Sequence, residues 1–293
     1  MKRSEIEGTY REIQEQFSSA LQDLDGDSHL RVDQWDREGG GGGVNRIITG
    51  PGHIEKAAIN FSAVFGPTPA GLSESVAAGS TEFYATGVSI IVHPRNPNAP
   101  TFHANLRFFE TGNGDRWFGG GADLTPYYLF EEDAAHFHRV LKAVCDSNPP
   151  ADYRSWKSAC DSYFYLPHRG EARGVGGLFF DHLTADLEAV WKFQRELGTS
   201  LDRAYLPILE QRIGIGYGED EASWHEIRRG RYVEFNLVWD RGTRFGLETG
   251  GRVESILASL PPRARWDYLH EPDPGTREHA LLDMVRAEPR DWV

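Results

Sequence analysis

Two stretches of the chain, Gly87 to Phe109 and Arg231 to Arg252, set histidine, asparagine, arginine, serine and aspartate onto one face of what otherwise reads as buried β-structure. Polar groups inside a sheet are costly unless something pairs with them, so the pattern constrains the fold and marks a site at once. In Gly87-Val-Ser-Ile-Ile-Val-His-Pro94 a period of two puts Ser89, Ile91 and His93 on one face and Val88, Ile90 and Val92 on the other. In Phe102-His-Ala-Asn-Leu-Arg-Phe108 the same alternation gathers His103, Asn105 and Arg107 opposite Phe102, Ala104, Leu106 and Phe108. The intervening Arg95-Asn-Pro-Asn-Ala-Pro100 has prolines that cannot donate to a ladder and asparagines that favour turns, which predicts an antiparallel hairpin. Arg231 to Asp240 alternates likewise, predicting a further strand with Glu234, Asn236 and Asp240 on one face.

Elsewhere Ile6, Tyr10, Ile13, Phe17, Leu21 and Leu24 recur at helical spacing, predicting a first helix that ends at Asp25-Gly26-Asp27. Gly39 to Gly43 lack the strand-turn-helix context of a nucleotide fingerprint and read as a mobile or close-approach loop rather than a phosphate cradle. Asn45 to Thr49 and Ala57 to Val64 read as short strands, and Trp117 to Pro126 as a loop leading to a helix with the stripe Phe137, Val140, Leu141 and Val144. Further helices are predicted over Tyr153 to Tyr163, Leu183 to Leu197 closed by Gly198, Leu201 to Ile213, and Thr276 to Val285. With no repeat and no long linker, residues 1–293 read as one α+β domain, an antiparallel sheet with helices packed on it.

A net charge of -13 argues against nucleic acid and anionic membrane as partners, and a mean hydropathy of -0.51 leaves no run able to cross a bilayer. The first residues show neither a secretory nor a transit pattern, so a cytoplasmic location is the expectation. Cys145 and Cys160 are too few for a disulfide scaffold or an iron-sulfur cluster.

Arg107 on a strand face needs an acceptor, either a ligand carboxylate or an internal Asp or Glu. Gly250-Gly251-Arg252 would let backbone amides approach a ligand beside a cation, and is equally a plain turn. Asp240, if strand geometry persists, points away from Arg241 and needs N–H donors from a ligand or from turn amides. His93, His103, His138 and His168 are of a metal-ligating type, yet no His-Glu-x-x-His occurs, and His136 and His138 lie about 200° apart on a helix.

Taken together, Gly87 to Pro97, Phe102 to Phe109, Trp117 to Pro126, His136-Phe-His-Arg139, Tyr163-Phe-Tyr-Leu-Pro-His-Arg169, Gly174 to Asp181, Gly230 to Thr243 and Leu247 to Ile256 resemble, in order, the oxygen-dependent coproporphyrinogen III oxidases. The resemblance covers essentially the whole chain. It implies a homodimer whose subunits carry a large flat antiparallel sheet of about seven strands with helices on both faces. It also implies conversion of two propionates of coproporphyrinogen III to vinyl groups with molecular oxygen and without an organic cofactor. By position, Ser89, Asn105, Leu106, Arg107, Arg241, Gly250, Gly251 and Arg252 would contact the tetrapyrrole. His103 would donate a proton, Asp240 would engage the pyrrole N–H groups, and His93, His138 and His168 match histidines associated with a divalent metal. A non-catalytic porphyrin-binding protein is the alternative.

Overall fold

The structure, a computed structural model, describes residues 1–68, 79–248 and 250–293, apart from the side chain of residue 245. Helix α1 (Arg3–Asp25) buries Ile6, Tyr10, Ile13, Phe17 and Leu21 along one stripe. It ends as expected at Gly26, which takes a φ of 73° while its amide bonds the carbonyl of Gln22.

Seven strands follow in one antiparallel sheet: β1 (His29–Asp36), β2 (Gly41–Thr49), β3 (Ile54–Pro67), β4 (Glu82–Pro94), β5 (Thr101–Thr111), β6 (Arg116–Thr125) and β9 (Gly176–Leu183), neighbours in that order. A two-stranded hairpin, β7 (Tyr165–Leu166) and β8 (Glu171–Ala172), stands apart. The predicted β4–β5 hairpin is present, with Ser89 opposite Asn105 and Gly87 opposite Arg107. Residues directly opposite share a face. The register therefore runs a polar row, Asp33, Asn45, Asn60, Ser89, Asn105, across five strands of one face.

The other face carries Val88, Ile90, Val92, Phe102, Ala104, Leu106 and Phe108 into the main core. There it packs on α1, α2 (Glu131–Asp146), α4 (Leu187–Gly198) and α5 (Leu201–Arg212), while α3 (Tyr153–Tyr163) lies along β9. The polar face is covered by α6 (Glu219–Glu234), a π-helix (Phe235–Trp239), α7 (Arg241–Glu248) and α8 (Val253–Leu257), with Tyr232 and Ala258 packed on Ala58 and Ile91. Helix α9 (Arg277–Arg286), capped by the Thr276 hydroxyl, closes the chain. Among the described residues no helix is long and apolar enough to cross a membrane.

Three expectations change. Arg231 to Asp240 is the end of α6 and the π-helix, not a strand: Tyr232, Val233, Phe235 and Asn236 are buried while Leu237, Val238 and Trp239 are exposed. Alternation over ten residues does not separate a strand from a helix, and the acidic first turn Glu219-Asp-Glu221, favourable at a helix N-terminus, starts the helix well upstream. Trp117 to Thr125 lies in a strand paired on both sides, with β5 and β9, and not in a loop; Gly119 to Gly121 contribute no side chains from which its period can be read. Gly41 to Gly43 open β2 rather than a loop, and close approach is what they supply: a Cβ at Gly43 would lie 2.6 Å from the Trp35 ring.

Candidate active site

On the polar face β5 and β6 pair His103 with Asp123, and His103 Nδ1 lies 2.8 Å from Asp123 Oδ1. Both oxygens of Asp123 also accept from Nη2 of Arg173 at 2.8 Å, and all of this lies inside the protein except the His103 ring, whose side chain is 24% exposed. The Arg173 guanidinium is sandwiched by rings, 3.8 Å from the centroid of Phe164 and 4.7 Å from that of Phe235. Burial pushes the Asp123 carboxyl up, but Arg173 and the His103 bond outweigh it and hold it below its ordinary range. An ionised Asp123 makes Nδ1 the donor, so Nε2 is the ring nitrogen not engaged with this pair.

Asp240 follows the π-helix and caps α7: its Oδ2 accepts from the Thr243 amide at 2.7 Å and its Oδ1 from the Tyr163 hydroxyl at 2.8 Å. Burial raises its carboxyl, and the Thr243 and Tyr163 bonds overcome that, so it is held below the usual range and is ionised at neutral pH. Burial and the neighbouring Asp240 charge push the Tyr163 phenol up to about 12, which keeps it a donor. The Tyr163 ring stacks on Phe179 at 4.2 Å, with the Arg241 guanidinium 4.8 Å from its centroid. Among the described residues Arg241 has no carboxylate partner. The Thr243 side chain adds a further bond to the same carboxylate, and a carboxylate with about four acceptor positions still has room for one more donor.

The other two guanidiniums are paired internally. Arg107 Nη2 meets Asp181 Oδ1 at 2.9 Å and its Nη1 donates to Asn105 at 3.2 Å, leaving other N–H groups of a side chain 39% exposed. The pair lies over Gly119, where a Cβ would come within 2.6 Å of the Asp181 carboxylate. Arg252 meets Asp33 at 2.6 Å, beside Ser255, which receives Asn45 Nδ2 at 2.8 Å. Arg252 thus stands over β1 and β2, Asp240 stands beside Phe179 of β9, and α7 joins the two ends of the face.

The family model for Coproporphyrinogen III oxidase matches residues 5–292. The chain belongs to this family. It is 46% identical to the "Oxygen-dependent coproporphyrinogen-III oxidase, chloroplastic" of Glycine max, over 99% of this chain and 80% of that protein. It is also 46% identical to the "Oxygen-dependent coproporphyrinogen-III oxidase" of Coxiella burnetii (strain Dugway 5J108-111), over 100% and 96% respectively. The "Coproporphyrinogen-III oxidase 1, chloroplastic" of Arabidopsis thaliana is 45% identical over 99% of the chain and 79% of its own length.

Within this chain, several residues expected at the site stand otherwise. Leu106 is fully buried on the opposite, core face, and its carbonyl sits in the ladder close to Gly87, so its side chain does not reach the site. The amides of Gly250 and Gly251 bond the carbonyls of Leu247 and Gly246 at 3.4 and 2.7 Å, closing α7 as a plain turn would instead of presenting free donors. The three histidines do not converge. His93 bonds Thr101 and the Ser259 carbonyl; His138 bonds Tyr153 and the Val175 carbonyl; His168 accepts from Trp239 Nε1 and meets Glu234. Burial pulls His93 well below its ordinary range and His138 to about 4, so both are neutral packing residues. Among the described residues no three His, Cys, Asp or Glu side chains are disposed to hold one ion, so these residues do not fit a metal. Asp123, Arg173, Tyr163 and Asp181 were not foreseen. Continuing a period of two through Gly119, Gly121 and Asp123 is the signal that would have placed Asp123 beside His103.

Proposed function

We propose that this chain is an oxygen-dependent coproporphyrinogen III oxidase, turning two propionates of coproporphyrinogen III into vinyl groups to give protoporphyrinogen IX. The observation that carries this reading is an ionised, half-buried Asp240 beside the Tyr163–Phe179 stack, on the same sheet face as His103. A porphyrinogen presents inward pyrrole N–H donors and peripheral carboxylates. It is matched by one central anion with cations around it.

Asp240 accepts from the pyrrole N–H groups and holds an electron-rich ring against molecular oxygen. Arg241, and the remaining donors of Arg107 and Arg252, take propionates; Ser89 and Asn105 add neutral polar contacts. His103, oriented through Nδ1 by Asp123 and Arg173, takes up a proton at Nε2 and passes it on from the doubly protonated ring. Each propionate, one proton and one O2 yield a vinyl group, CO2 and H2O2: the carbon chain loses two electrons and oxygen gains them. No organic cofactor and no metal enters any step. A carrier would need the arginines but not a charged, buried Asp123–Arg173 pair aligning a half-open imidazole, which is a costly arrangement for binding alone.

The chain acts as a homodimer in the cytoplasm in this reading. Support for the first comes from three consecutive exposed apolar residues, Leu237, Val238 and Trp239, and for the second from the bacterial relative matched almost end to end. Purified protein incubated with coproporphyrinogen III should release CO2 and form protoporphyrinogen IX in air and not under argon. Asp240→Ala should lower turnover by roughly two orders of magnitude or more with the fold intact by circular dichroism. Equal turnover under argon, or near-normal turnover of the variant, would end the proposal.

A further inference from the structure

We propose that the cavity between α6, the β7–β8 hairpin and α9 is a second binding site, for a small oxyanion. It has a volume of about 250 Å³, and neither His103 nor Asp240 lines it. Arg228 and Arg231 reach it from adjacent turns of α6, Arg169 from the hairpin loop and Arg286 from the last turn of α9.

Four guanidiniums share three carboxylates there. Glu171, 3% exposed, is 2.7 Å from Arg228, 3.8 Å from Arg231 and 3.9 Å from Arg286. Glu234 binds Arg169 at 2.6 Å and Arg231 at 3.1 Å, and Glu271 binds Arg286 at 2.9 Å. Asp267, also on the wall, is held by Arg265 at 2.6 Å. The four guanidiniums exceed the three carboxylates by one charge, with Arg228 and Arg231 5% and 14% exposed and Arg169 and Arg286 38% and 42% exposed at the rim, in a molecule of net charge -13. A cluster of guanidiniums in excess around a concave, partly shielded space is suited to an anion. Burial, with Arg169 and Arg228 as like-charged neighbours, pulls the Arg231 guanidinium below its ordinary range, a cost that a bound anion relieves.

The size of the cavity, under the roughly 300 Å³ at which drug-sized pockets begin, excludes a tetrapyrrole and admits a small ion. Guanidinium forks from several directions suit phosphate-type and carboxylate oxygens alike. The inference rests on charge and shape and stands or falls independently of the tetrapyrrole reading.

The test is titration of the full chain by calorimetry at constant ionic strength with inorganic phosphate, sulfate and succinate, chloride serving as the background ion. Saturable uptake of one equivalent of at least one dianion is expected, with phosphate or sulfate ahead for a tetrahedral preference and succinate ahead for a dicarboxylate. Arg231→Gln and Arg286→Gln should each weaken it about tenfold or more, the scale of one charge-assisted hydrogen bond. Arg286 is 42% exposed at the molecular surface, so Arg286→Gln serves even if Arg231→Gln does not fold. No saturable binding of any dianion, or binding undiminished in Arg286→Gln, overturns the proposal.

Discussion

Among the donors to Asp240 are the Thr243 amide and the Tyr163 hydroxyl, and they differ in what their loss would do. The amide belongs to the helix it caps; the hydroxyl can be removed with the ring left in place. Tyr163→Phe keeps the stack on Phe179 and the surface under Arg241 but deletes a hydrogen bond to a charged group, worth about 1.5–3 kcal/mol. The Asp240 carboxyl should then titrate at higher pH. The acid limb of kcat/KM is expected to move upward and kcat to fall roughly tenfold; an acid limb that does not move would show that the hydroxyl does not tune Asp240. Arg107 is the instructive contrast. Its placement on the chemistry-bearing face was legible from alternation, but its pairing with Asp181 was not, since that partner lies on another strand over 70 residues away.

At the scale of elements, β6 works by what it lacks. Gly119 leaves the space in which the Arg107–Asp181 pair lies, and a methyl there would come within 2.6 Å of the carboxylate and 2.8 Å of Arg107 Nε. Gly119→Ala should therefore displace the pair and raise KM several-fold, with a smaller effect on kcat, because the contact serves binding more than the transition state. Equal steady-state constants would exclude a role for the pair. The end of α6 is tied down differently. Burial raises the Glu234 carboxyl, but bonds from Arg169, His168 and Trp266 more than offset this and hold it at about 2 against an ordinary 4.5. Its folded value lies below its unfolded one, so its contribution to stability is complete above about pH 4.5 and is lost as pH falls toward 2. Urea midpoints of wild type should drop more between about pH 5 and pH 3 than those of Glu234→Gln; parallel slopes would rule this out.

For the whole molecule, a net charge of -13 repels an anionic tetrapyrrole at a distance, so its capture falls to guanidiniums close to the cleft. The dispersal of His93, His138 and His168 leads to a further expectation. Protein treated exhaustively with a strong chelator should keep its oxygen-dependent turnover within about twofold, and activity lost on chelation and restored by one divalent ion would contradict it.

What the chain's sequence determined by itself is local and periodic. The stripe of α1, its stop at Gly26, the β4–β5 hairpin and the side of the sheet on which Ser89, His103, Asn105 and Arg107 lie all follow from spacings of two or 3.6 residues. The α+β class follows from their order. Tertiary structure decided what periodicity does not encode. It made Arg231 to Asp240 helical through burial of Tyr232 and Phe235, and it turned a glycine run without pattern into the strand that carries Asp123 to His103. It also set each of the three histidines among partners of its own. Contacts such as Arg107–Asp181, His138–Val175 and His168–Glu234 join residues distant in the chain, and their energy exists only once the sheet and its helices have assembled.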